Sequence, residues 1–263
     1  MNPPSILYLA INLPSSEQRR EQVLAEGRKF GIDIRLVPAV AGRELTEEDL
    51  SHYDREARKK AYPFDLTPNE IACTLSHRKA LKTFLDSEAD FGVILEDDAQ
   101  LQPHFNEGIA WLTQKLHGWQ IAKLYSAEGK LFSVGMDNIE NAPVRPVFPK
   151  KIMWISVGYL YTREGARRLL EGLEHFWMPT DGQIGQIMLS RRIPVVSMEP
   201  GLVVTGDPLH EFSDIDADAS ASRLVPHPER SLKQYIAYRL SVWAIAWGKI
   251  RMRSLLRRVL HLH

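Results

Sequence analysis

Phe91–Asp98 reads Phe-Gly-Val-Ile-Leu-Glu-Asp-Asp, a short apolar strand that ends in three consecutive carboxylates. Side chains alternate along an extended chain, so the pattern predicts Glu96 and Asp98 on one side and Asp97 on the other. Like charges two residues apart repel each other, and a positive partner is therefore expected. A divalent cation is one candidate, because Mg²⁺ and Mn²⁺ prefer oxygen ligands and usually bring a phosphate. An arginine or a lysine is another, and a solvated loop start is the plain alternative.

The rest of the chain alternates predicted strands and helices, which is typical of an α/β layered fold. Strands are predicted at residues 6–11, 34–37, 91–95, 121–125, 156–161 and 193–198, and helices at 15–30, 68–86, 105–116 and 164–173. Residues 45–64 are interpreted as a solvated, partly helical excursion, 135–151 as irregular and 201–223 as a polar loop. Ligand sites in open α/β sheets lie at the carboxyl ends of strands, which is where the acidic triplet falls.

Two helix starts carry capping signals. Ser15-Ser16-Glu17-Gln18 has the pattern of a capping box, and Gly31 ends that helix. Thr67-Pro68-Asn69-Glu70 is sharper, since it combines an N-cap, a proline at the first helical position and a capping box.

Composition limits the function classes. The 263 residues are enough for one large domain, or for one domain with a tail. Lysine plus arginine and aspartate plus glutamate each total 33, so no basic surplus predicts nucleic-acid binding. The single cysteine, Cys73, fits a reducing cytosol, and we expect it to pack rather than react. The N-terminus lacks a signal-peptide pattern, and no run reaches the ~18 apolar residues of a membrane span.

Polar side chains at other element ends are candidates for the same edge of the sheet. Asn12 ends the first predicted strand, and Arg19 and Arg20 open the first helix. Arginines near a diphosphate would make charge-assisted, bidentate contacts. By themselves, the two arginines are more simply solvated helix residues.

Three further residues allow more than one interpretation. His77 is a general base, a sugar contact or a satisfied core histidine. Asp181 is a helix N-cap, a general base, or both. His210 opens an acidic loop and is a candidate metal ligand. The aspartates at 214, 216 and 218 resemble an EF-hand, but the required glycine and glutamate are absent, so calcium binding is rejected.

The end of the chain is basic and amphipathic. No acidic residue follows Glu229, whereas lysines and arginines recur to the end. Apolar residues recur there at helical spacing: Leu232, Ile236, Leu240, Trp243, Trp247 and Ile250. Such a helix docks on an anionic membrane surface through residues 230–263, or it packs on its own domain or on a second copy. The oligomeric state stays open.

Taken together, the motifs resemble glycosyltransferase family 25, the lipooligosaccharide and collagen galactosyltransferase group. The matching pieces, in family order, are Tyr8–Leu13 with Arg19-Arg20, Pro38–Gly42, Leu66–His77, Val93–Asp98, Gly158–Tyr161 with Gly165-Ala166, Pro179-x-Asp181 and Ser213–Ile215. The Leu66–His77 stretch combined with Glu-Asp-Asp is specific, whereas each piece alone is weak. The sequence departs from the family at Ala41, usually aspartate, at Ala72, usually glycine, and in the tail beyond about residue 228.

The resemblance implies a GT-A-like, Rossmann-related mixed sheet flanked by helices over residues 1–228, followed by an amphipathic helical tail at 229–263. The family typically uses UDP-sugars, often UDP-galactose, and inverts the anomeric configuration. The implied acceptor is a glycan or glycolipid such as a lipooligosaccharide or lipopolysaccharide core. The implied location is the cytoplasm, peripheral to the cytoplasmic face of the inner membrane.

Carried over from the family, Glu96-Asp97-Asp98 plays the part of the acidic metal motif, and the implied reaction suggests a role for each of the candidate residues. The Mn²⁺ or Mg²⁺ ligands would be Glu96 and Asp98, with His210 as an extra one. Asp181 would be the general base, with His77 in reserve. The contacts to the UDP-sugar would come from Asn12, Arg19, Arg20, Ser76, Asp97 and Gly158.

Two other classes stay open on the sequence alone. A nucleotidyl- or phosphoryltransferase also holds Mg²⁺ on strand-end carboxylates, although the chain has no Gly-x-x-x-x-Gly-Lys-Ser/Thr loop. A non-catalytic, membrane-docked scaffold would keep the basic tail and a degenerate donor site, and Ala41 favours that reading.

Overall fold

The structure is a computed structural model that describes residues 3–62, 64–125, 133–135, 145–149 and 156–206. The predicted metal ligand His210, the domain boundary at 228 and the helical tail lie outside these residues. The helices are α1 (Glu17–Phe30), α2 (Glu47–Ser51), α3 (Arg55–Ala61), α4 (Pro68–Leu85), α5 (Phe105–Gln114), α6 (Arg163–Gly172) and α7 (Thr180–Ser190). The strands are β1 (Ile6–Asn12), β2 (Ile34–Pro38), β3 (Phe91–Glu96), β4 (Ala99–Leu101), β5 (Ile121–Lys123), β6 (Ser133–Gly135), β7 (Arg145–Pro149), β8 (Gly158–Thr162), β9 (Val195–Glu199) and β10 (Val203–Thr205).

The ends of α1 and α4 follow from local sequence. At α4, the Thr67 hydroxyl accepts from the Glu70 backbone N–H, and the Glu70 carboxylate accepts from the Thr67 N–H, so the predicted capping box is present. At α1, the Ser16 side chain makes no capping hydrogen bond, so the box predicted there is wrong. Gly31 ends α1 in the left-handed conformation, at a φ of 67°.

The main sheet brings several strand ends to one edge. Within the described ranges its order is β2-β1-β3-β8-β5-β9-β7-β6. β1 is parallel to both β2 and β3, and β8 runs antiparallel between β3 and β5. The carboxyl ends of β1, β3 and β5 therefore share an edge with the start of β8. β4 follows the acidic triplet directly, and it forms a separate antiparallel pair with β10.

Helices cover both faces of this sheet, and β3 divides its side chains between them. Val93 and Leu95 lie in the apolar cluster that includes α1 and α5 residues. Ile94 lies in the opposite cluster, with residues of α4, α6 and α7. The period of two places Glu96 on the α4 face, one residue past Leu95. The predicted α/β fold, a mixed sheet flanked by helices, is confirmed.

Several short elements differ from the sequence predictions. β7 occupies part of the stretch predicted as irregular, β10 part of the predicted polar loop, and β4, β6 and α7 were not predicted. β7 contains Pro146 and Pro149, and proline lacks the N–H that a central strand donates, so sequence patterns disfavour a strand there. None of the helices in the described ranges is long and apolar enough to cross a membrane.

Candidate active site

Asn12 and Asp97 meet where β1 and β3 end side by side. The Asn12 amide donates to Asp97 Oδ2 over 2.7 Å and to the Ser16 carbonyl over 3.2 Å. Arg19 Nη1 lies 3.5 Å from Asp97 Oδ1. Burial raises the pKa of Asp97, and Asn12 and Arg19 partly oppose that rise. The structure thus brings these three predicted residues together, with Asp97 tied to the start of α1.

The other three predicted donor contacts have different surroundings. Arg20 donates to the Pro14 carbonyl and lies 3.6 Å from the Glu17 carboxylate. The buried Ser76 hydroxyl donates to its own helix and accepts from the Val40 N–H over 2.9 Å, which ties the loop after β2 to α4. A Cβ added to Gly158 would lie 3.2 Å from Leu95 Cδ2. Ser76 is therefore accounted for by its hydrogen bonds, and Gly158 by close packing.

Glu96 is held by two partners from other elements. Its Oε1 lies 3.2 Å from Nε2 of the buried His77, and it also accepts a hydrogen bond from the Ser156 hydroxyl. Burial would raise the pKa of Glu96, but His77, Ser156 and Arg19 lower it below its usual value. Burial opposes the charge on His77, yet its hydrogen bonds with Cys73 and Glu96 raise the pKa of His77. The two side chains form an ion pair at the end of β3.

Asp98 is the least satisfied member of the triplet. Its Oδ2 accepts from the Thr205 hydroxyl over 2.7 Å, whereas its Oδ1 is buried and has no hydrogen-bond partner among the residues that the structure describes. Burial, together with the charges of Glu96 and Asp97, raises the pKa of Asp98. A buried acceptor without a donor is costly, so this oxygen is suited to a positively charged ligand.

The predicted division of the triplet by strand alternation is wrong. β3 ends at Glu96, and Asp97 and Asp98 form a turn that leads into β4. The turn gives each carboxylate its own direction: Glu96 towards α4, Asp97 towards α1 and Asp98 towards β10. Alternation does not apply to Asp97 and Asp98, because the strand ends at Glu96, two residues before Asp98.

A metal at this site would need ligands beyond the side chains seen. Within the described ranges no group of three or more histidine, cysteine, aspartate or glutamate side chains is placed to hold a metal ion. The residues present nevertheless fit Mg²⁺ or Mn²⁺ bound to substrate. Mg²⁺ typically takes only one or two carboxylates and completes its shell with phosphate oxygens and water. The unpartnered oxygen of Asp98, with Glu96 nearby in sequence, supplies that kind of donor set.

Asp181 lies in the first turn of α7, and the helix start is fixed by neighbours. The N-cap of α7 is Pro179, so the interpretation of Asp181 as an N-cap is wrong. The Thr180 hydroxyl lies 2.9 Å from that of Thr74 on α4, and Gln183 Oε1 accepts from the Trp177 and Met178 N–H groups. A carboxylate at this position is favoured by the helix dipole.

Two residues that the sequence analysis missed connect Asp181 with the triplet. Tyr159 on β8 is buried, and burial, with the charges of Tyr161, Asp181 and Glu96, raises its pKa well above the usual value. Lys123 lies opposite Tyr159 in the sheet register and is buried beside it. A lysine in the apolar run Ile121–Leu124 was the available signal. Asp181 and Glu96 therefore both lie within electrostatic reach of Tyr159.

Comparison with known proteins decides the family. The family model for glycosyltransferase family 25, described as an LPS biosynthesis protein, matches residues 6–184, more than half of the chain. This chain belongs to glycosyltransferase family 25. The match includes the acidic triplet and Asp181, and the resemblance inferred from the motifs is confirmed.

Related proteins agree with this assignment. A glycosyltransferase 25 family member of Aedes aegypti is 26% identical over 182 residues, covering 64% of this chain and 28% of that protein. Procollagen galactosyltransferase 1-B of Xenopus laevis is 28% identical over 171 residues, covering 61% of this chain and 27% of that protein. The chain thus spans little more than a quarter of the length of these relatives.

A solved structure was also similar. It is a glycosyltransferase involved in the glycosylation of the major capsid of PBCV-1, with 12% identity, a TM-score of 0.43, and coverage of 84% of this chain and 100% of that chain. A superposition this loose adds nothing to the family assignment.

Proposed function

We propose that this member of family 25 transfers a hexose from a UDP-sugar, in the first instance UDP-galactose, to a glycan acceptor with the help of a divalent cation. The observation that carries the proposal is the buried Oδ1 of Asp98 at the carboxyl edge of the sheet, which has no hydrogen-bond partner within the described part of the chain. Charge, burial and position suit this oxygen to a cation that arrives with a diphosphate.

Asp98 would hold Mn²⁺ or Mg²⁺, with Glu96 as the second carboxylate. When bound, the cation supplies positive charge that offsets the charge developing on the departing diphosphate. Glu96 is committed to His77 and Ser156 through Oε1, so we assign it the weaker share of the ligation. His210 stays a proposed extra ligand.

Asn12 and Arg19 would shape the donor side of the site. Both side chains contact Asp97, and through it they hold the turn that contains Asp97 and Asp98 at the start of α1. Arg19 also brings a positive charge to an edge where three carboxylates gather, which favours an anionic donor. We assign Arg20, Ser76 and Gly158 lesser roles in donor contact, because Arg20 and Ser76 are hydrogen-bonded to other groups and Gly158 is packed closely against Leu95.

Asp181 is the proposed general base of an inverting, single-displacement reaction. Such a reaction needs a group that removes the proton of the acceptor hydroxyl on the face opposite the leaving diphosphate. Asp181 is a half-buried carboxylate on a fixed helix start. His77 is less suited, because it is buried and its pKa is raised, so at neutral pH it already holds the proton that a base would accept.

The proposal also covers the acceptor and the place in the cell where the enzyme meets it. The matching family model is described by lipopolysaccharide biosynthesis, and a lipopolysaccharide or lipooligosaccharide core is the acceptor we propose. A growing glycolipid on the cytoplasmic face of the inner membrane would then be reached by the basic tail at 230–263. Galactose as the transferred sugar is supported by the relatives named procollagen galactosyltransferase.

A screen of UDP-sugars tests the function directly. The purified chain is incubated with each donor, with Mn²⁺, with Mg²⁺ or with a chelator, and released UDP is measured. We expect release from one UDP-hexose, UDP-galactose first, only with a divalent cation. Release of pyrophosphate instead would indicate a nucleotidyltransferase, and no turnover of any donor, with or without a glycan acceptor, would contradict the proposal.

A further inference from the structure

Lys123 is a buried cation that the proposed reaction does not yet use. It ends β5 in the interior of the main sheet, between Tyr159 of β8 and Ser197 of β9 in the register. Its side chain is almost fully buried, with the residue 5% exposed. The ammonium nitrogen lies 5.9 Å from the ring centroids of both Tyr125 and Tyr159. Lysine is rarely buried in this way unless a negative group compensates it.

Ile121 of β5 lies in the apolar cluster that contains α7 residues and Ala122 lies in the opposite cluster, so the period of two places Lys123 on the face of the sheet that α7 covers. The compensating charge comes from Asp181 at the start of that helix. Burial lowers the pKa of Lys123 to about 8, and the charge of Asp181 acts in the opposite direction. Electrostatic attraction is mutual, so the Lys123 ammonium favours the carboxylate form of Asp181 over the carboxylic acid. Among the residues that the structure describes, Tyr125 and Tyr159 are titratable groups beside the Lys123 ammonium, and Tyr161 and Glu96 lie within electrostatic reach of Tyr159.

We propose that Lys123 is a positioning residue for Asp181: its ammonium group, fixed on the central sheet, holds the carboxylate ionised and oriented at the start of α7. This inference rests on the proposed function for the role of Asp181 as base, but the electrostatic pairing stands apart from it. Lys123 is not offered as a catalytic residue, since it acts through Asp181.

The two elements that carry the pair are both rigid, which is what orientation requires. β5 is hydrogen-bonded on both sides, to β8 and to β9. The start of α7 is joined to α4 by the Thr74 and Thr180 hydroxyls. A flexible lysine on the surface would lose side-chain entropy if it were held against a carboxylate. Lys123 loses less, because two aromatic rings already confine it.

The pairing can be tested without turnover, by NMR titration of lysine labelled at Cε. Lys123→Arg identifies the Lys123 signal, and the titration is followed in wild type and in Asp181→Asn. We expect the Lys123 midpoint to fall in Asp181→Asn, while the signal of exposed Lys115 stays unchanged. An unchanged Lys123 midpoint in Asp181→Asn would overturn the proposal, whatever the enzyme's donor.

A double-mutant cycle on turnover tests the role in the reaction. Lys123→Met keeps the length of the side chain without its charge. We expect kcat to fall about tenfold or more with the donor KM unchanged, a loss within the range found for residues that are energetically coupled. Lys123→Arg should restore most of the loss, and Lys115→Met is the matched control. In the Asp181→Asn background, Lys123→Met should cost nothing further.

The outcomes separate the two hypotheses. Additive losses in the double variant, or a loss in Lys123→Met that Lys123→Arg does not restore although both variants melt like wild type, would overturn the positioning role. If the wild type turns over no donor, the proposed function fails, and the NMR titration alone decides whether Lys123 and Asp181 form the pair.

Discussion

Glu96 and Asp98 are two residues apart in the sequence, yet their surroundings act on them in opposite directions. Glu96 has a charged partner in His77 and a pKa below its usual value, whereas the pKa of Asp98 is raised and one of its oxygens has no partner in the described ranges. Sites that bind charged ligands commonly keep such an unfavourable group in the free protein. The difference between the two carboxylates leads to separate predictions for stability and activity.

Asp98→Asn should leave the protein as stable as wild type or more stable, while transfer falls by about 100-fold or more, as when one transition-state electrostatic group is removed. A raised carboxyl pKa means that the charged form is disfavoured in the folded state, so removing the charge removes a cost. The measurements are the thermal unfolding midpoint and UDP release. The exposed Asp33→Asn is the control for both. A clear loss of stability in Asp98→Asn would show that its carboxylate is a structural group.

His77→Gln should destabilise the fold by about 2 kcal/mol, below the usual cost of breaking a buried pair because the Glu96 side chain is 31% exposed. The raised pKa of His77 makes its contribution complete below the ordinary value of 6.5 and smaller as pH rises beyond it. The lowered pKa of Glu96 makes its contribution present above 4.5 and lost as pH falls. The loss should therefore be greatest between pH 4.5 and 6.5.

Urea unfolding of wild type and His77→Gln across this range, without added metal, measures the difference. The exposed pair His104 and Glu107 provides the control variant His104→Gln, for which about 0.5 kcal/mol or less is expected. A loss that is the same at every pH would mean that packing, and not charge, explains the effect of His77.

At the scale of single residues, the sequence predicted the meeting of Asn12, Arg19 and Asp97 but not the partners of Glu96. Strand ends can be located from apolar runs, and parallel strands place their carboxyl ends at the same edge of the sheet. The contact between Glu96 and His77 depends on how α4 lies across β3, which no local pattern encodes. Lys123 could have been identified from the sequence, because a charged residue within an apolar strand is unusual.

Among the elements, α4 contributes most to the site, since it carries Thr74 and His77. Thr67→Ala should cost about 1 kcal/mol of unfolding free energy, because the Thr67 hydroxyl accepts one of the first N–H groups of the helix. Ser16→Ala at α1 should cost almost nothing, since Ser16 makes no side-chain cap. Denaturant unfolding of the two variants compares them. Equal losses would contradict the difference in capping.

Elements with strong local signals were predicted well, and those that depend on distant pairing were not. β1, β3 and α4 have long apolar runs or sharp caps. β7 pairs with β6 and β9 in spite of two prolines, and α7 forms although Gly182 and Gly185 lower its helix propensity. For these elements, tertiary contacts outweigh the local preference.

On the scale of the whole molecule, the predicted role of the basic tail can be tested independently of the active site. The full chain should co-sediment with vesicles that contain anionic phospholipid, more at low salt than at high salt, and a truncation after Glu229 should not. Vesicles of neutral phospholipid are the control. Equal partitioning of the two forms would contradict membrane docking and favour packing of the tail on protein.

The central claim, that the acidic edge of the sheet binds a metal and a UDP-sugar together, is tested most directly by calorimetric titration of UDP. We predict that the wild type binds UDP in the presence of Mn²⁺ and much more weakly with a chelator, and that Asp98→Asn loses the Mn²⁺-dependent part while remaining folded. Binding of UDP that is equally strong in Asp98→Asn, or that does not depend on Mn²⁺ in the wild type, would contradict the account.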